Sequence, residues 1–277
     1  MKKVKQINNL SIFEHEGVFF IKSPTSEVVY RTFVYEDACN WCINNKTFVK
    51  HKEVKLSKVD VSTLENKIIL LHGSDHIVKK PIFGKGSLDC DYGRGFYCVE
   101  EKYMELAKEW AYSKFNKTGK GYVNKYEINL DGLKILYLNN LNILYWIAIT
   151  TRYRKLMWYK EESKIIQEKY DINMSEYDII VGWRCDDTYS DIIERLLSKS
   201  MSLEALSEAI KAGCLQNQVV LKSALAFERI KFIDSEYIKE AKKYSNRFNK
   251  RIENANKLIN SYVVQYRNGT YIDDYLG

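Results

Sequence analysis

The first apolar runs of the chain have the length and spacing of short strands. The pattern predicts a short strand from Ile12, a turn at Glu16-Gly17 and an apolar strand at 18–21. A turn at 23–25 and a strand at 28–34 follow, and a helical stretch begins near residue 36. Short apolar runs bounded by turn residues are typical of a small β-hairpin, here packed on one helix. Residues 46–61 are rich in lysine and follow no period, which indicates a linker. We therefore predict an N-terminal module with its linker over residues 1–63.

A larger segment follows, in which strand and helix patterns are mixed. After Lys67, residues 68–71 form an uninterrupted apolar run, which is typical of a strand buried on both faces. Asp131-Gly132 is a favoured turn sequence, so the strands before and after it are expected to pair as a hairpin. Gly213 is expected to end a helix. The pattern predicts an α+β domain over residues 64–234, with further strands at 122–129, 133–138, 177–183, 218–221 and 229–233 and helices at 102–115, 141–170, 191–197 and 203–212.

The remaining residues repeat at helical spacing. From residue 235 onward, apolar side chains recur every three or four positions from Ile238 to Tyr262, while the other positions are rich in lysine and arginine. This is the pattern of one long amphipathic helix. We therefore predict a helical extension over residues 235–277.

Composition places the chain among packed, globular, intracellular proteins. Hydrophobic residues make up 45% and charged residues 29% of the 277 positions. The N-terminal lysines are not followed by an apolar run, so no signal peptide is indicated, and no uncharged run is long enough to cross a bilayer. The six cysteines are too scattered for a disulfide framework and are expected to be reduced. We expect a cytoplasmic protein with no membrane partner.

The net charge of +7 has two interpretations. It would favour approach to nucleic acid or to another acidic partner. Solvated lysine-rich faces would produce the same charge without any such partner. Both interpretations stay open.

Three short motifs point to no site when taken alone. The Cys39-x-x-Cys42 spacing occurs in zinc and redox sites, but no second cysteine or histidine pair completes a ligand set, so we expect core packing and no metal. Gly84-Lys85 lacks the earlier glycine of a phosphate-binding loop. The segment 93–95, Gly-Arg-Gly, lacks the third glycine of a dinucleotide fingerprint.

The order of several segments is more informative. Leu-His-Gly-Ser at 71–74 and Tyr-Gly-Arg-Gly-Phe-Tyr at 92–97 are followed by Ala-Lys-Glu-Trp-Ala at 107–111. They resemble the histidine–tyrosine–glutamate class of ADP-ribosyltransferases. Later segments, at 177–182, 185–187, 217–220 and 224–226, resemble a bacterial family catalogued as domain of unknown function 3990, which is placed in the same superfamily. The likeness covers residues 67–234 and implies a split, mainly antiparallel pair of β-sheets, flanked by helices, with a cleft for NAD as co-substrate.

The resemblance also implies roles for individual residues. His72 would hold the adenosine ribose hydroxyls, the backbone of Gly73 would reach the nicotinamide carboxamide, and the ring of Tyr97 would stack on the nicotinamide. A contact from the Ser74 hydroxyl to the carboxamide and a second aromatic wall from Tyr92 complete the set. Gly95 lies in the same NAD-binding segment.

The position of the class's catalytic glutamate is different in this chain. Cleavage of the nicotinamide bond develops positive charge on the ribose, which a carboxylate would stabilise. Alignment of the late strand places Gln218 there, and a glutamine accepts a hydrogen bond but carries no charge. Asp186 or Asp187 would supply the charge, or would instead cap the following helix.

These expectations lead to one function and two alternatives. We predict transfer of ADP-ribose from NAD to an intracellular macromolecule, protein or nucleic acid, by a bacterial toxin or defence effector with a small antitoxin protein as partner. The first alternative is a non-catalytic sensor of NAD or ADP-ribose. The second is a nucleic-acid-binding protein whose basic C-terminal helix contacts phosphate.

Overall fold

The chain divides into two units, Met1–Glu65 and Asn66–Gly277, which are described separately. The computed structural model describes residues 2–7, 10–15, 18–22, 28–32, 38–39, 42, 66–154, 160–170, 172–185, 190–212, 216–239 and 241–276. The predicted linker at 46–61, Gly213, Asp186 and Asp187 lie outside these residues.

The first unit contains a four-stranded antiparallel sheet instead of the predicted hairpin. Its strands follow one another in the sheet in chain order, as β1 (Lys2–Ile7), β2 (Leu10–His15), β3 (Val18–Lys22) and β4 (Val28–Thr32). The edge strand β1 is lysine-rich and exposed along most of its length, so it has no apolar alternation by which to recognise it. Cys42 is buried in this unit's core with Leu10, Ile12, Phe19, Ile21 and Ala38.

The second unit is an α+β arrangement around one seven-stranded sheet with the order β11-β7-β5-β6-β10-β9-β8. All neighbours pair antiparallel except β8 and β9, which are parallel. The strands are β5 (Lys67–Ser74), β6 (Phe96–Glu100), β7 (Tyr122–Asn129), β8 (Ile135–Tyr137), β9 (Ile179–Trp183), β10 (Asn217–Leu221) and β11 (Ile230–Tyr237).

The hairpin predicted around Asp131-Gly132 was wrong, although the chain does turn there. Gly132 has a φ of +72°, in the left-handed region that favours glycine. However, β7 is paired on one edge with β5 and on the other with β11, which leaves no edge for β8. The strand after the turn therefore joins the opposite end of the sheet, beside β9.

Helices cover the sheet and are distributed along the whole second unit. They are α1 (Met104–Thr118), α2 (Ile143–Tyr153), α3 (Lys160–Lys169), α4 (Ser190–Leu197), α5 (Leu203–Lys211), α6 (Ala224–Arg229), α7 (Ala241–Gln265) and α8 (Asp273–Leu276). The helix α7 begins later than residue 235, because Ser235–Tyr237 belongs to β11 and the backbone N–H of Ile238 donates to the carbonyl oxygen of Gly121 at 3.0 Å.

Two apolar cores stabilise the second unit. One lies where α1 packs on β5, β6 and β7, and it includes Leu71, Val99, Leu106 and Val123. The larger one surrounds β8–β10 and the helices α2, α4 and α5, with Trp146 fully buried in it. The helix α7 contributes Tyr244 to the first core and Ala255 and Ile259 to the second, so it ties both cores together.

Among the helices that the structure describes, none combines the length and the apolar character needed to span a membrane.

Candidate functional site

The candidate site is a cleft that opens where β5 and β6 stop pairing. The two strands share only the pairs Leu70↔Glu100 and Leu71↔Val99 within their described residues. Beyond them, Phe96–Cys98 of β6 pairs with β10, while β5 continues alone on β7. The cleft has a volume of about 820 Å³, which is within the range of small-molecule and cofactor sites.

His72 reaches across the opened end of this ladder. Its Nδ1 lies 2.7 Å from the backbone carbonyl oxygen of Tyr97. A carbonyl oxygen only accepts, so Nδ1 carries the proton and donates, and Nε2 is left as an acceptor in the neutral ring. The ring also packs on Phe96, with 4.4 Å between the centroids. Both contacts fix the orientation of the His72 ring in the cleft wall.

Gly73 lines the cleft, and helix α1 crosses its Cα closely. A Cβ at this position would lie 2.5 Å from the carbonyl oxygen of Ala107 and 2.6 Å from the amide nitrogen of Ala111. Glycine is therefore required by the helix behind the strand. This close packing also brings Trp110 and Ser113 of α1 into the cleft lining.

Aromatic rings form a second wall. Phe96 meets Phe227 at 6.1 Å between centroids, and Phe227 meets Phe83 at 5.6 Å. Phe96 and Phe227 are half-buried in the cleft lining, and Phe83, which is 54% exposed, packs on Phe227 outside the lining. Rings in this arrangement suit a flat aromatic ligand.

Asn124 stabilises the rim of the cleft, residues 74–78, by hydrogen bonds. Its buried side chain donates to the Ser74 hydroxyl at 2.8 Å and accepts from the backbone N–H of Val78 at 3.0 Å. The Ser74 hydroxyl in turn donates to the carbonyl oxygen of His76. The Ser74 hydroxyl proton is therefore already donated to a carbonyl oxygen of the rim, and Ser74 lies behind the cleft lining.

Tyr97 lines the cleft and is held by its hydroxyl, which donates to Gly93 O at 2.6 Å and accepts from Tyr92 N–H at 3.0 Å. Burial raises the pKa of Tyr97, so the hydroxyl keeps its proton. Tyr92 itself is fully buried in the core and donates to the carbonyl oxygen of Trp183. Tyr92 therefore lies behind the cleft and does not form its wall.

Gly95 also lines the cleft, with β10 packed closely against it. A Cβ there would lie 2.5 Å from Cγ1 of Val220 and 2.9 Å from the carbonyl oxygen of Leu221. As at Gly73, the missing side chain lets two elements approach beside the cleft.

Gln218 is 2% exposed and is joined to the cleft through Asp91. Its Nε2 donates to Oδ2 of Asp91 at 2.6 Å. Arg154 donates to the other oxygen, Oδ1, from Nε at 2.8 Å, and the backbone N–H of Cys185 donates to Oδ2 at 2.8 Å. Burial raises the pKa of Asp91, and the Arg154 guanidinium beside it acts in the opposite direction.

Cationic side chains are concentrated around the cleft. Arg184 is only 6% exposed and lies over the ring of Trp110, with 5.0 Å from its guanidinium carbon to the centroid. Arg154 is the second guanidinium in the lining, and the mouth adds Lys79, Lys80 and Lys85. An anionic ligand would be stabilised here.

The structure brings together four of the residues predicted for the site, His72, Gly73, Gly95 and Tyr97, in the cleft lining. Ser74, Tyr92 and Gln218 lie directly behind it, and Asp186 and Asp187 are outside the described residues. Sequence reasoning missed the lining residues Asp91, Phe96, Arg154, Arg184 and Phe227. Asp91 and Phe96 lie within or beside the segment 92–97, which was a usable signal. The described residues contain no cluster of three or more potential metal ligands.

A family model described as "Protein of unknown function (DUF3990)" matches residues 68–232. This range begins in β5, ends in β11 and contains all the cleft-lining residues. No curated protein and no solved structure matches the chain.

Proposed function

Because the chain belongs to the family described as Protein of unknown function (DUF3990), whose description states no activity, we propose a function from the cleft. The protein binds NAD and transfers its ADP-ribose group to an intracellular macromolecule, in the manner of the ADP-ribosyltransferases that its motifs resemble. The acceptor is a protein or a nucleic acid, and a small antitoxin protein is the expected regulatory partner.

One observation carries this proposal: the β5–β6 ladder opens at His72. The opening brings a histidine of fixed tautomer, a backbone edge and a row of aromatic rings to one cleft. In the neutral ring, Nε2 of His72 is an acceptor and suits a ribose hydroxyl as donor. The backbone of Gly73 suits a carboxamide, and the rings suit nicotinamide or adenine.

The charge of the cleft supports a dinucleotide. Arg184 and the lysines of the mouth place positive charge in the lining, and NAD has two phosphates joined as a pyrophosphate. Arg154 is already paired with Asp91. Guanidinium groups bind phosphate oxygens through two parallel hydrogen bonds. A volume of about 820 Å³ accommodates a ligand of this size.

The proposed reaction is a displacement at C1′ of the nicotinamide ribose. The bond from C1′ to the nicotinamide nitrogen breaks, and its electron pair neutralises the pyridinium ring, which leaves as nicotinamide. An oxygen or nitrogen nucleophile of the acceptor forms the new bond to C1′ and loses its proton to solvent. The ribose carries positive charge in between, so acceptor groups on the ribose hydroxyls stabilise the transition state.

Incubation with NAD labelled on the adenylate tests this function. The purified protein, NAD and host-cell lysate are expected to give a labelled macromolecule, and His72→Ala and Tyr97→Ala are expected to abolish the label. Sensitivity of the label to protease or nuclease then identifies the acceptor class. If NAD neither binds nor is consumed in any extract, the proposal is refuted.

The bonding of Gln218 favours one second candidate, a sensor that binds NAD without turnover. Gln218 is uncharged, and the nearest described carboxylate, Asp91, is paired with Arg154. The sensor predicts NAD binding by calorimetry with no nicotinamide released. Release of nicotinamide at a rate that His72→Ala abolishes would exclude it.

A further inference from the structure

A loop at the mouth of the cleft concentrates positive charge. This mouth loop, residues 79–88, follows the rim and contains Lys79, Lys80 and Lys85 but no aspartate or glutamate. All three lysines are exposed and line the cleft. Within the described part of the chain, none of the three forms an ion pair. Their charges are therefore available to a ligand.

The backbone of the mouth loop is held against the rest of the second unit. Just before the loop, Val78 donates its N–H to Asn124 at 3.0 Å and accepts from the Tyr126 hydroxyl at 2.6 Å. Within the loop, a Cβ at Gly86 would lie 2.5 Å from the carbonyl oxygen of Gly95, so the two backbones are in direct contact. A surface on a fixed backbone loses less conformational entropy when it binds a ligand.

Apolar side chains of the same loop face solvent. Ile82 is 60% exposed, Phe83 54% and Leu88 56%. The ring of Phe83 packs on Phe227, with 5.6 Å between the centroids, which holds it beside the cleft and leaves half of it in solvent. Neighbouring exposed apolar side chains with charged residues around them are typical of an interaction surface.

The charge of the cleft lining exceeds the charge of NAD. Arg154 is paired with Asp91, which leaves Arg184 and the three loop lysines against one further carboxylate, Asp89. With the histidines neutral, these five side chains carry three net positive charges. NAD has two negative phosphates and one positive pyridinium ring, so it carries one net negative charge. The remaining positive charge favours a second substrate that is a polyanion.

We propose that the mouth loop binds single-stranded nucleic acid and that an unpaired base of the bound strand is the acceptor of ADP-ribose. The inference rests on the proposed function. The three lysines contact backbone phosphates, and a base stacks on the exposed ring of Phe83 while a neighbouring base enters the cleft. Positive charge that follows the backbone, combined with an aromatic ring for a base, is the usual way to bind a single strand.

A single strand matches this surface better than other polyanions do. In a duplex the bases stack on one another, and enzymes that modify a base need it unstacked. An acidic protein segment offers carboxylates but no regular series of flat rings for Phe83. A bilayer presents a broad flat surface, whereas the loop lysines line a cleft.

The transfer step is balanced for an N–H nitrogen of the base. This nitrogen forms the bond to C1′ of the nicotinamide ribose while the bond from C1′ to the nicotinamide nitrogen breaks. The electron pair of the broken bond stays on the nicotinamide ring, and the base nitrogen loses its proton to solvent. Base pairing would occupy the same N–H group, so an unpaired base is the better acceptor.

Binding of fluorescent oligonucleotides in a salt series, without NAD, tests the surface. The probes are mixed-sequence single strands of RNA and DNA, roughly 20 nucleotides long, and the same sequences as duplexes. Each phosphate contact contributes about 0.7 to the slope of log affinity against log salt. For K79Q/K80Q/K85Q we expect the slope with single strands to be smaller than that of the wild type by about 2.

The matched control removes three other exposed lysines, none of which lines the cleft, in the variant K134Q/K164Q/K231Q. This control is expected to keep the wild-type slope, although it changes the net charge by the same amount. Equal loss of slope in the two variants would mean that only the overall charge attracts the strand, which overturns the inference.

The ring of Phe83 is tested separately from the charge. Phe83→Leu keeps an apolar side chain but removes the stacking surface, so single-strand affinity should fall about tenfold. The control is Tyr237→Leu, since Tyr237 is 42% exposed and packs on Tyr122 as Phe83 packs on Phe227, but lies outside the cleft lining. Melting temperatures confirm that each variant is folded. Unchanged affinity in a folded Phe83→Leu variant contradicts the stacking contact.

Labelled NAD then separates the inference from the function on which it rests. We expect label on the single strands, and much less label on the same sequences as duplexes. Label on protein alone, with no oligonucleotide bound, overturns the inference and supports the transferase. Binding to vesicles of anionic lipid but not to oligonucleotides also overturns it. Binding of single strands that depends on the mouth loop, without any consumption of NAD, refutes the proposed function and the acceptor role but supports the nucleic-acid surface.

Discussion

Replacing Gly73 with alanine tests whether helix α1 sets the width of the cleft. The new Cβ would lie 2.5 Å from Ala107 O, 2.6 Å from Ala111 N and 2.7 Å from Trp110 Cβ. Favourable contact distances begin near 3.5 Å, so α1 must move by roughly 1 Å to relieve the closest contact. All three atoms belong to the backbone or are a Cβ, and no rotamer change relieves the overlap. Overpacking of this kind costs about 1–3 kcal/mol, and we expect the upper end.

Thermal and urea unfolding measure this cost. A loss of about 3 kcal/mol corresponds to a fall in melting temperature of roughly 6–12 °C for a unit of this size. The matched control is Gly84→Ala, whose Cβ meets no atom within 4 Å and whose cost arises only from a φ of +80°. Left-handed backbone costs a non-glycine residue about 1–2 kcal/mol.

The comparison separates two reasons for a glycine at position 73. If packing against α1 is the reason, Gly73→Ala melts well below Gly84→Ala and binds NAD weakly because the wall has shifted. If approach of the nicotinamide is the reason, Gly73→Ala melts like the wild type and loses only NAD affinity. That second result would refute the packing argument.

Two further predictions concern the buried ion pair between Arg251 of α7 and Glu109 of α1, and the half-buried Lys222. Glu109→Gln leaves the largely buried Arg251 without its carboxylate and should destabilise the protein by about 2–4 kcal/mol in urea unfolding; an unchanged midpoint would contradict it. Burial lowers the pKa of Lys222 to about 8 from 10.5. Between these values the unfolded chain binds a proton that the folded chain does not, so wild-type stability should rise with pH from about 8 to 10.5 relative to Lys222→Met. If the stability difference between the wild type and Lys222→Met does not change with pH, the carbonyls of Tyr92 and Arg94, which accept from Lys222, keep the lysine charged.

Local patterns in the sequence were sufficient to find most elements of the second unit. The apolar run that follows Lys67 became part of β5, and the alternation at 122–129 became β7 with the predicted bounds. Local patterns do not predict which strands pair. A turn sequence such as Asp131-Gly132 indicates that the chain reverses, but not which strand the next strand pairs with. The edges of β7 are taken by strands distant in sequence, and no local signal records this.

The candidate site likewise contains residues that sequence motifs indicate and residues that they do not. His72, Gly73 and Tyr97 were accessible because they lie in short ordered motifs, and the structure places them in one cleft. The Asp91 network was not accessible, since its members Arg154, Cys185 and Gln218 follow Asp91 at separations of 63, 94 and 127 residues. Their meeting depends on the strand order β6-β10-β9.

Some basic residues of the C-terminal helix have a structural role that the sequence pattern did not indicate. Arg247 and Arg251 on α7 form ion pairs with Glu105 and Glu109 on α1. Part of the charge that suggested contact with phosphate is therefore used to join two helices. Only a measurement of salt-dependent binding tests the nucleic-acid alternative.

The strand order has a consequence for how the protein is made. The outer edge of β7 is covered by β11, and residues 130–229 separate the two strands in the chain. A ribosome therefore releases β7 long before its neighbour exists. During this interval a row of unpaired backbone groups is open to other nascent chains, a known route to misassembly. Slower translation between β7 and β11 would lengthen this exposure, so the yield of folded protein should depend on elongation rate and on chaperones that cover strand edges.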